Sequence, residues 1–475
     1  MDELRRARDA AAGADLVELR LDSVDRPDPV AAIEGRLRPV IVTCRPQSEG
    51  GQFQGSEEER RNILHDAVSA GAEFVDVELR ASFAADIIRA RRGHGVIVSM
   101  HVFGGDVPDV ADALRALRAT GAEVVKLAYE ANSLADTLPL FELTQRAEFQ
   151  APAPSSHVLI AMGPAGVATR VLAARLRNRW TYAGDGVAPG QLTVCRMLDE
   201  FHYRRIRPDA DLYGVVGNPV MHSLSPAMHN AGFAHRSLNA VYVPLQARDA
   251  DDFARFGRAM GMRGASITAP FKVAMMDRVD HVDALAAEVG AINTLHLKNG
   301  QWIGSNTDVH GFVTPLKGRM KLKGTRAAVL GAGGAARAVA VALKREGAKV
   351  RVCARRIQQA REVAALVGVQ AGEYPPRPGT WDVLVNATSA GTAAGDSSPM
   401  EGVPLDGEIV FDLVYAPSDT PLVAQARAAG CWTIGGVEML IRQAERQFEI
   451  WTGTPPPADL FRHAAQSALA QGVRS

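Results

Sequence analysis

Charge of one sign, long apolar runs and cysteine are all scarce in this chain. Lys+Arg and Asp+Glu each total 53, the formal net charge is zero, and no long basic run occurs. Such a balance offers nothing to a nucleic-acid backbone or an anionic membrane surface. No apolar stretch reaches the ~18 residues needed to cross a bilayer. The opening MDELRRARDAAAGAD is charged and amphipathic; it lacks a signal peptide's apolar core, and its acidic residues argue against a transit peptide. Cys44, Cys195, Cys353 and Cys431 stand far apart without CxxC spacing, which argues against a disulfide framework or a zinc site. They read as reduced, small core residues. The expectation is a cytoplasmic protein of ordinary apolar content with no metal, nucleic-acid or membrane partner. Internal repeats and low-complexity tracts are also missing.

What is present is alternation of strands and helices, over 475 residues that exceed one ordinary core. Within residues 1–207 the apolar strands read LVELRL (16–21), PVIVTCR (39–45), FVDVEL (74–79), VIVSMH (96–101), VVKLAY (124–129), HVLIAM (157–162) and RWTYAG (179–184). Helical periodicity, as in DAVSAGA and DALRALRATGA, separates most of them. This order implies parallel strands with right-handed crossovers. Seven units approach a (β/α)8 TIM-type barrel whose first strand is the missing one. APAPSS (151–156) reads as a loop inside the barrel, because two further units follow it. The boundary falls in RRIRPDAD (204–211), after which DLYGVVG opens a second α/β pattern over 208–322. Residues 323–436 show the strand–glycine loop–helix–strand order of a Rossmann domain. The remainder, 437–475, is expected to pack back on the middle domain and complete it.

In such a barrel the chemistry collects at the C-terminal ends of the strands. There stand Glu18 and Arg20, Arg45, Glu78, His101 and Lys126, followed by Arg170 and Gln191. A lysine, a histidine and several arginines on one rim suit an anionic carbonyl compound. Lys126, between Val125 and Leu127, points inward, and lysine is seldom buried without a partner. Desolvation beside arginine cations favours a neutral amine that adds to a carbonyl; pairing with Glu18 or Glu78 would make it a structural ion pair. His101 is either a satisfied core histidine or the proton shuttle that imine chemistry needs.

ELRLD (18–22), TCRP…EGGQFQGSEEER (43–60), DVEL (76–79), SMH (99–101), VVKLAY, AMGPAG (161–166) and APGQ (188–191) together resemble the type I 3-dehydroquinate dehydratases, over about residues 3–200. The resemblance implies that Lys126 forms an imine with the substrate ketone. It implies that His101 takes the C2 proton and helps expel the C1 hydroxyl, with Glu78 orienting His101. Glu18, Arg20, Arg45, Arg170 and Gln191 would hold the carboxylate and hydroxyls. Val187 stands where that family commonly has serine.

The second half delivers small polar groups at strand-to-loop transitions. GNPVMHSLSPAMHN (217–230) sets Ser223 and Ser225 before a helix, with Ser225 the expected N-cap and Pro226 the first helical residue. GASITAPFK (264–272) brings Thr268 and Lys272, GAINTL (290–295) brings Asn293, and GSNTD (304–308) brings Asp308. Lys272 and Asp308 read either as a proton-transfer pair or as a surface salt bridge. The sequence RAAVLGAGGAARAVAVALKREGAKVRVCARR (326–356) reads strand, turn, helix, strand. Gly331 permits the turn, and Gly333 lets the backbone approach a pyrophosphate at the helix N-terminus, with Ala332, Gly334 and Ala335 completing the loop. After the second strand an NAD site usually offers a carboxylate. Here Ala354, Arg355 and Arg356 follow it, which favours the 2′-phosphate of NADP.

Residues 211–475 resemble the shikimate dehydrogenases through SLSP, ITAPFK, AINT, NTD, GAGGAARA, NATSAG (386–391), FDLVYAPSDTPL (411–422) and GGVEMLIRQAERQFEIWTG (435–453), in that order. The resemblance implies that Ser223, Ser225, Thr268, Asn293, Asp308 and Gln443 bind shikimate, with Tyr415 nearby. Lys272 and Asp308 would be the catalytic pair, and Asn386, Thr388 and Ser389 would line the cofactor side. Ser266 occupies a position often Asn in that family, and Ala354 replaces an Asn. The two implied reactions are consecutive: dehydration of 3-dehydroquinate, then NADPH reduction of the product to shikimate. Three rivals stand beside this reading. One is a sensor of quinate or shikimate that acts on a partner, although such a protein would be expected to lose Lys126 and Lys272. Another is a catabolic quinate enzyme using NAD. The third is a chain in which only the dehydrogenase half works. Oligomeric state is left open.

Overall fold

The computed structural model describes residues 1–146, 149, 155–184, 190–393 and 395–472. The chain forms two compact units: Met1–Ala210 with Leu245–Arg248, and Asp211–Pro244 with the residues from Asp249 onward. The expected serine-to-valine departure at Val187 lies outside the described residues.

The first unit is a parallel α/β barrel wall. Strands β1 (Val17–Arg20), β2 (Val40–Thr43), β3 (Phe74–Glu78), β4 (Val96–Val102), β5 (Val124–Glu130) and β6 (Ser156–Met162) pair in sequential order, every pair parallel. Local chemistry starts the connecting helices. Ser56 and Glu59 form a reciprocal capping box ahead of the helix Glu57–Ser69, and Asp109 caps Val110–Arg118. The wall is strongly curled. Neighbouring strands lie about 4.8 Å apart, so β1 and β5 would be roughly 19 Å apart in a flat sheet. Yet Lys126 Nζ on β5 lies 4.0 Å from Glu18 Oε1 on β1. Only a sheet bent into a barrel brings those side chains together.

Among the described residues six strands pair, not the seven expected. RWTYAG runs beside β6 without joining the ladder: Arg179 N–H donates to the His157 carbonyl at 2.9 Å. The neighbouring pairing is taken by a side chain, for Leu159 N–H donates to Asn178 Oδ1 (2.9 Å) and Asn178 Nδ2 donates to the Leu159 carbonyl (3.0 Å). One amide thus satisfies both backbone groups that a seventh strand would have used. Trp180 and Tyr182 pack instead on the inner cluster of Ile41, Ile97, Val124, Val158 and Ile160.

The second unit holds two sheets. In one, β7 (Asp211–Gly217), β8 (Ala240–Gln246), β9 (Gly264–Ile267), β10 (His281–Val282), β11 (Thr294–Lys298) and β12 (Gln301–Ser305) follow the order β10-β12-β11-β9-β7-β8. The antiparallel hairpin β11–β12 turns at Asn299-Gly300, both at positive φ (53° and 78°), the backbone that this dipeptide tolerates best. In the other, β13 (Arg326–Leu330), β14 (Lys349–Cys353), β15 (Gln370–Gly372), β16 (Val383–Asn386), β17 (Ile409–Asp412) and β18 (Trp432–Ile434) take the order β15-β14-β13-β16-β17-β18, all parallel. Order reverses between β13 and β16, the doubly wound arrangement whose crevice takes dinucleotides. The helix Gly334–Arg345 is rich in alanine and valine and buried on most sides, so it can press closely on the sheet.

The helices Gly436–Thr452 and Leu460–Gly472 pack on the first of these sheets. Phe448 and Phe461 join Tyr213, Phe233 and Tyr242 in one aromatic core. His229 sits inside it, fully buried and stacked on Tyr242 with ring centroids 4.5 Å apart. Burial pushes this imidazole down to about 3, with a weaker opposing effect from Gln447. The unfolded chain takes up a proton near pH 6.5 that the folded chain refuses, so this ring erodes stability as pH falls below that value. Between about pH 6.5 and 4.5 its share of the loss is about 2 kcal/mol. His229→Phe should remove that share of the slope in urea unfolding at the two pH values; an equal slope in both proteins would contradict it.

Candidate active sites

Alternation along the barrel strands sends Glu18, Thr43, Asp76, Glu78, Ser99, His101 and Lys126 to one face, the interior. One cavity at their C-terminal ends is lined by Glu18, Arg20, Arg45, Glu49, His101, Phe103, Lys126, Arg170, Tyr182 and Gln191. The structure therefore gathers Glu18, Arg20, Arg45, His101, Lys126, Arg170 and Gln191, as expected from sequence, in a single space. Glu78 does not line it.

Lys126 is 6% exposed. Its ammonium donates to Asp76 Oδ2 at 3.2 Å and lies 4.4 Å above the Tyr182 ring centroid. The expected surround of arginines is corrected: the groups nearest this nitrogen are carboxylates and an aromatic face. A buried ammonium needs a countercharge, and the nearby guanidinium of Arg45 is itself bound by Asp76 (2.9 Å), Glu78 (2.8 Å) and Ser99 Oγ (2.7 Å). Burial alone would push the Asp76 carboxyl up, but Arg45 and Lys126 overcome it and hold it far below the usual range.

The expected pairing of Glu78 with His101 is also corrected. Glu78 faces Arg45 and the fully buried Arg60, which also bonds Glu57 and the Cys44 carbonyl. Glu49 orients His101 instead: its Oε2 accepts the His101 backbone N–H at 3.1 Å and lies 3.2 Å from Nδ1. Glu49 ends a short 3-10 turn, Gln47–Glu49, in a stretch with neither helical nor strand period. The available signals were its place at the head of EGGQFQGSEEER and a charged residue just before Gly50, whose φ is 77°. Burial, then the charges of Arg45 and Lys126, push the His101 imidazole well below its ordinary value. With Nδ1–H directed at Glu49, Nε2 keeps its lone pair, the state of a proton acceptor. Arg170 is buried, and desolvation lowers its guanidinium to about 10. Arg20 is braced by both oxygens of Asp22, at 2.9 and 2.7 Å.

In the second unit Lys272 Nζ lies 2.6 Å from Asp308 Oδ2, and Asn293 Nδ2 donates to Asp308 Oδ1 at 2.8 Å. Lys272 is half-buried and Asp308 buried, unlike an open surface salt bridge. Gln443 Oε1 is 3.4 Å from Asn293 Nδ2. Thr268 lies beside Gly217, where a Cβ would come within 2.5 Å of its methyl. Tyr415 is half-buried against the aromatic core. The helix beginning SLSP starts one residue earlier than expected: Ser225 is its first residue, Pro226 its second, and Leu224 caps without a side-chain bond. Ser223 Oγ accepts the N–H of Ser225, the first helical residue, at 3.2 Å, and neither serine is the N-cap.

A chain of donors that sequence reading missed leads to Asp308. Tyr242 donates to Ser266 Oγ (2.6 Å), Ser266 to Gln447 Oε1 (2.7 Å), and Gln447 Nε2 to Thr294 Oγ1 (3.0 Å). Thr294 then donates to Asn293 Oδ1 (2.7 Å). Each proton points toward the carboxylate, a polarised arrangement. Gln447 lies one helical turn beyond Gln443, and that spacing was the available clue.

The glycine loop meets this pair. Gly331 has φ 113°, and a Cβ there would come 2.9 Å from the Ala387 carbonyl across the switch point. A Cβ on Gly334 would come 3.1 Å from Lys272 Cβ, so glycine there permits close approach of the lysine to the helix. Space beside Gly333 is open, and the helix Gly334–Arg345 starts with no side-chain cap. Its free N–H groups, with Ala332 and Ala335 adding no bulk, fit a pyrophosphate. Arg355 and Arg356 are exposed after β14, with no carboxylate paired to them among the described residues, which fits an added phosphate. Asn386 is corrected as a direct contact. It is fully buried, its Nδ2 donates to Asp412 Oδ1 (2.9 Å), and its Oδ1 accepts from Thr388 N and Oγ1 (3.1 and 2.6 Å). It shapes the turn that presents Thr388 and the exposed Ser389.

Fold and sites define a two-centre α/β protein, a lysine barrel joined to a dinucleotide-binding unit. Family comparison agrees. A model of type I 3-dehydroquinase matches residues 1–208, one of the shikimate dehydrogenase substrate binding domain matches 215–295, and one of the shikimate 5'-dehydrogenase C-terminal domain matches 436–466. A chloroplastic bifunctional 3-dehydroquinate dehydratase/shikimate dehydrogenase of Arabidopsis thaliana is 34% identical, over 94% of this chain and 79% of its own. A shikimate dehydrogenase (NADP(+)) of Methanocella arvoryzae is 39% identical over 54% of this chain and 99% of its own. The crystal structure of shikimate dehydrogenase from Aquifex aeolicus superposes with TM-score 0.51 at 34% identity, over 55% of this chain and 99% of its own. The chain belongs to the bifunctional 3-dehydroquinate dehydratase/shikimate dehydrogenase family.

The buried triad Arg45–Glu78–Arg60 sets a stability test. Removing Arg60 leaves Glu78 with one of its two cations and strands part of a buried charge. Arg60→Met should therefore destabilise the first unit by about 3–5 kcal/mol in denaturant unfolding. A cost below about 1 kcal/mol would show that Arg60 does not anchor Glu78.

Proposed function

We propose that this chain dehydrates 3-dehydroquinate to 3-dehydroshikimate in the barrel and reduces that product to shikimate with NADPH in the second unit. The observation that carries the reading is the placement of Lys126 and His101, a nucleophile and a proton acceptor, in one cavity with three arginines. The Lys126 amine adds to the substrate ketone, and loss of water gives an iminium. His101 Nε2 takes the C2 proton, and the electron pair moves through C2–C3 to the nitrogen. The C1 hydroxyl then leaves as water, carrying the proton returned by His101, and hydrolysis frees the amine. Glu49 keeps the imidazole in the accepting tautomer. Arg20, Arg45 and Arg170 provide the positive charge for the substrate carboxylate, and Glu18 and Gln191 suit its hydroxyls.

In the second unit, NADPH supplies the hydride when bound. The loop from Gly331 to Ala335 would hold its pyrophosphate, Arg355 and Arg356 the 2′-phosphate, and Thr388 and Ser389 the wall beside it. Lys272 donates the proton to the C3 oxygen, and Asp308, held by Asn293, keeps the ammonium aimed there. Ser223, Ser225, Thr268, Tyr415 and Gln443 would recognise the carboxylate and ring hydroxyls. Retention of both lysines with their partners speaks for catalysis in both halves and against a pure sensor. A cytoplasmic location fits four uncoupled thiols, three of them buried. No helix among the described residues is long and apolar enough to cross a membrane. The partners on this reading are the three small acids and NADP, with neither nucleic acid nor membrane.

A coupled assay tests both steps: 3-dehydroquinate added alone should drive NADPH consumption by the purified chain. Lys126→Met should abolish this and leave shikimate oxidation intact. Lys272→Met should lower shikimate oxidation about 100-fold or more while dehydration continues. Loss of both activities in either variant would contradict two separate centres. Arg355→Ala should raise KM for NADP about tenfold and barely alter that for NAD; equal effects would remove the phosphate assignment.

A further inference from the structure

Asp76 is the buried charge that the mechanism above leaves without a chemical task. It lies on β3, is fully buried, and uses its two oxygens differently. Oδ1 accepts the Ser99 hydroxyl at 2.6 Å, while Oδ2 faces Arg45 at 2.9 Å and the Lys126 nitrogen at 3.2 Å. Around that nitrogen, Glu18 is too distant for a hydrogen bond at 4.0 Å and already accepts from Thr43 at 2.6 Å. The face of Tyr182 closes another side at 4.4 Å.

We propose that Asp76 is a catalytic residue of the dehydratase centre: it accepts the remaining N–H of the lysine imine and serves as counter-ion to the iminium. The inference rests on the imine reading of Lys126. When the ketone carbon occupies one position on Nζ, a single N–H remains, and Asp76 Oδ2 is the acceptor within reach. The step balances without Asp76 changing its protonation. Amine, ketone and one proton give iminium and water. His101 then removes the C2 proton, the C–H pair becomes the C2–C3 double bond, and the C=N pair moves onto nitrogen. The N–H stays in place throughout, bonded to Asp76. An anion at this point keeps the imine protonated, and only a protonated imine withdraws enough charge to acidify C2. Asp76 is suited to stay anionic because Arg45 shares Oδ2 with Lys126 and Ser99 donates to Oδ1, and Glu78 in turn fixes Arg45.

The test uses the full chain. Asp76→Asn keeps the shape and removes the charge. Its alkaline limb of kcat for dehydration should move down by about one pH unit or more, and borohydride trapping with 3-dehydroquinate should slow about tenfold. Ser99→Ala serves as comparison, since it loosens Asp76 and Arg45 without removing charge; it should lower kcat with the limb unmoved. An unmoved limb and normal trapping in Asp76→Asn would overturn the proposal, as would equal shifts in both variants. A second measurement needs no variant. The imine that the wild-type chain forms with 3-dehydroshikimate, followed by ultraviolet difference spectra, should remain protonated to about pH 9; deprotonation below about pH 7 would overturn the counter-ion role. A wild-type chain that leaves 3-dehydroquinate untouched and traps no adduct would instead defeat the imine reading itself.

Discussion

Asp76, Arg45, Glu78, Arg60 and Lys126 form one buried charge lattice, and the interior of the first unit is organised by its need for neutrality. Each cation faces carboxylates, and each carboxylate faces a cation, so no member is buried alone. Leaving any one unpaired in a low-dielectric interior would cost several kcal/mol. That constraint fixes side-chain directions that strand geometry alone leaves free. Because Glu78 is held by two arginines, it is not free to orient His101, and that task falls to Glu49 from a loop. Because Asp76 is shared between Arg45 and Lys126, the lysine is steadied at the rim of the cavity.

The second centre meets the same requirement with amides instead of a charge lattice. Asn293 donates to Asp308 and accepts from Thr294 and from the Thr307 backbone N–H. Gln447 extends the support to the helix Gly436–Thr452. A carboxylate held by directional neutral donors keeps its second oxygen free for Lys272. Glycine at 334 then allows that lysine to sit against the helix N-terminus expected to receive a pyrophosphate. In this way the hydrogen-bond network of one sheet and the glycine loop of the other meet at Lys272.

Much of the fold was legible in the order of elements. Alternating apolar strands and helices announced the barrel, and the Gly331–Gly334 loop between strand and helix announced the doubly wound sheet. The misreadings have local physical causes. RWTYAG carries strand-forming residues, yet Asn178 occupies both backbone groups of Leu159, and the segment turns its aromatics inward. Ser225 is a residue type that favours the N-cap, yet the helix begins at Ser225 itself and Leu224 takes the cap position.

The chain by itself determined which groups lie at strand ends, since the period of two sends Glu18, His101 and Lys126 to one face wherever a barrel forms. It also determined the glycines, whose missing side chains are needed at Gly331 and Gly334 whatever surrounds them. Only the tertiary structure decided who pairs with whom: Asp76 with Lys126, Glu49 with His101, Gln447 with Asn293. Those partners lie 50, 52 and 154 positions apart. Their distances are set by sheet curvature and helix packing, quantities that no local pattern of residues encodes.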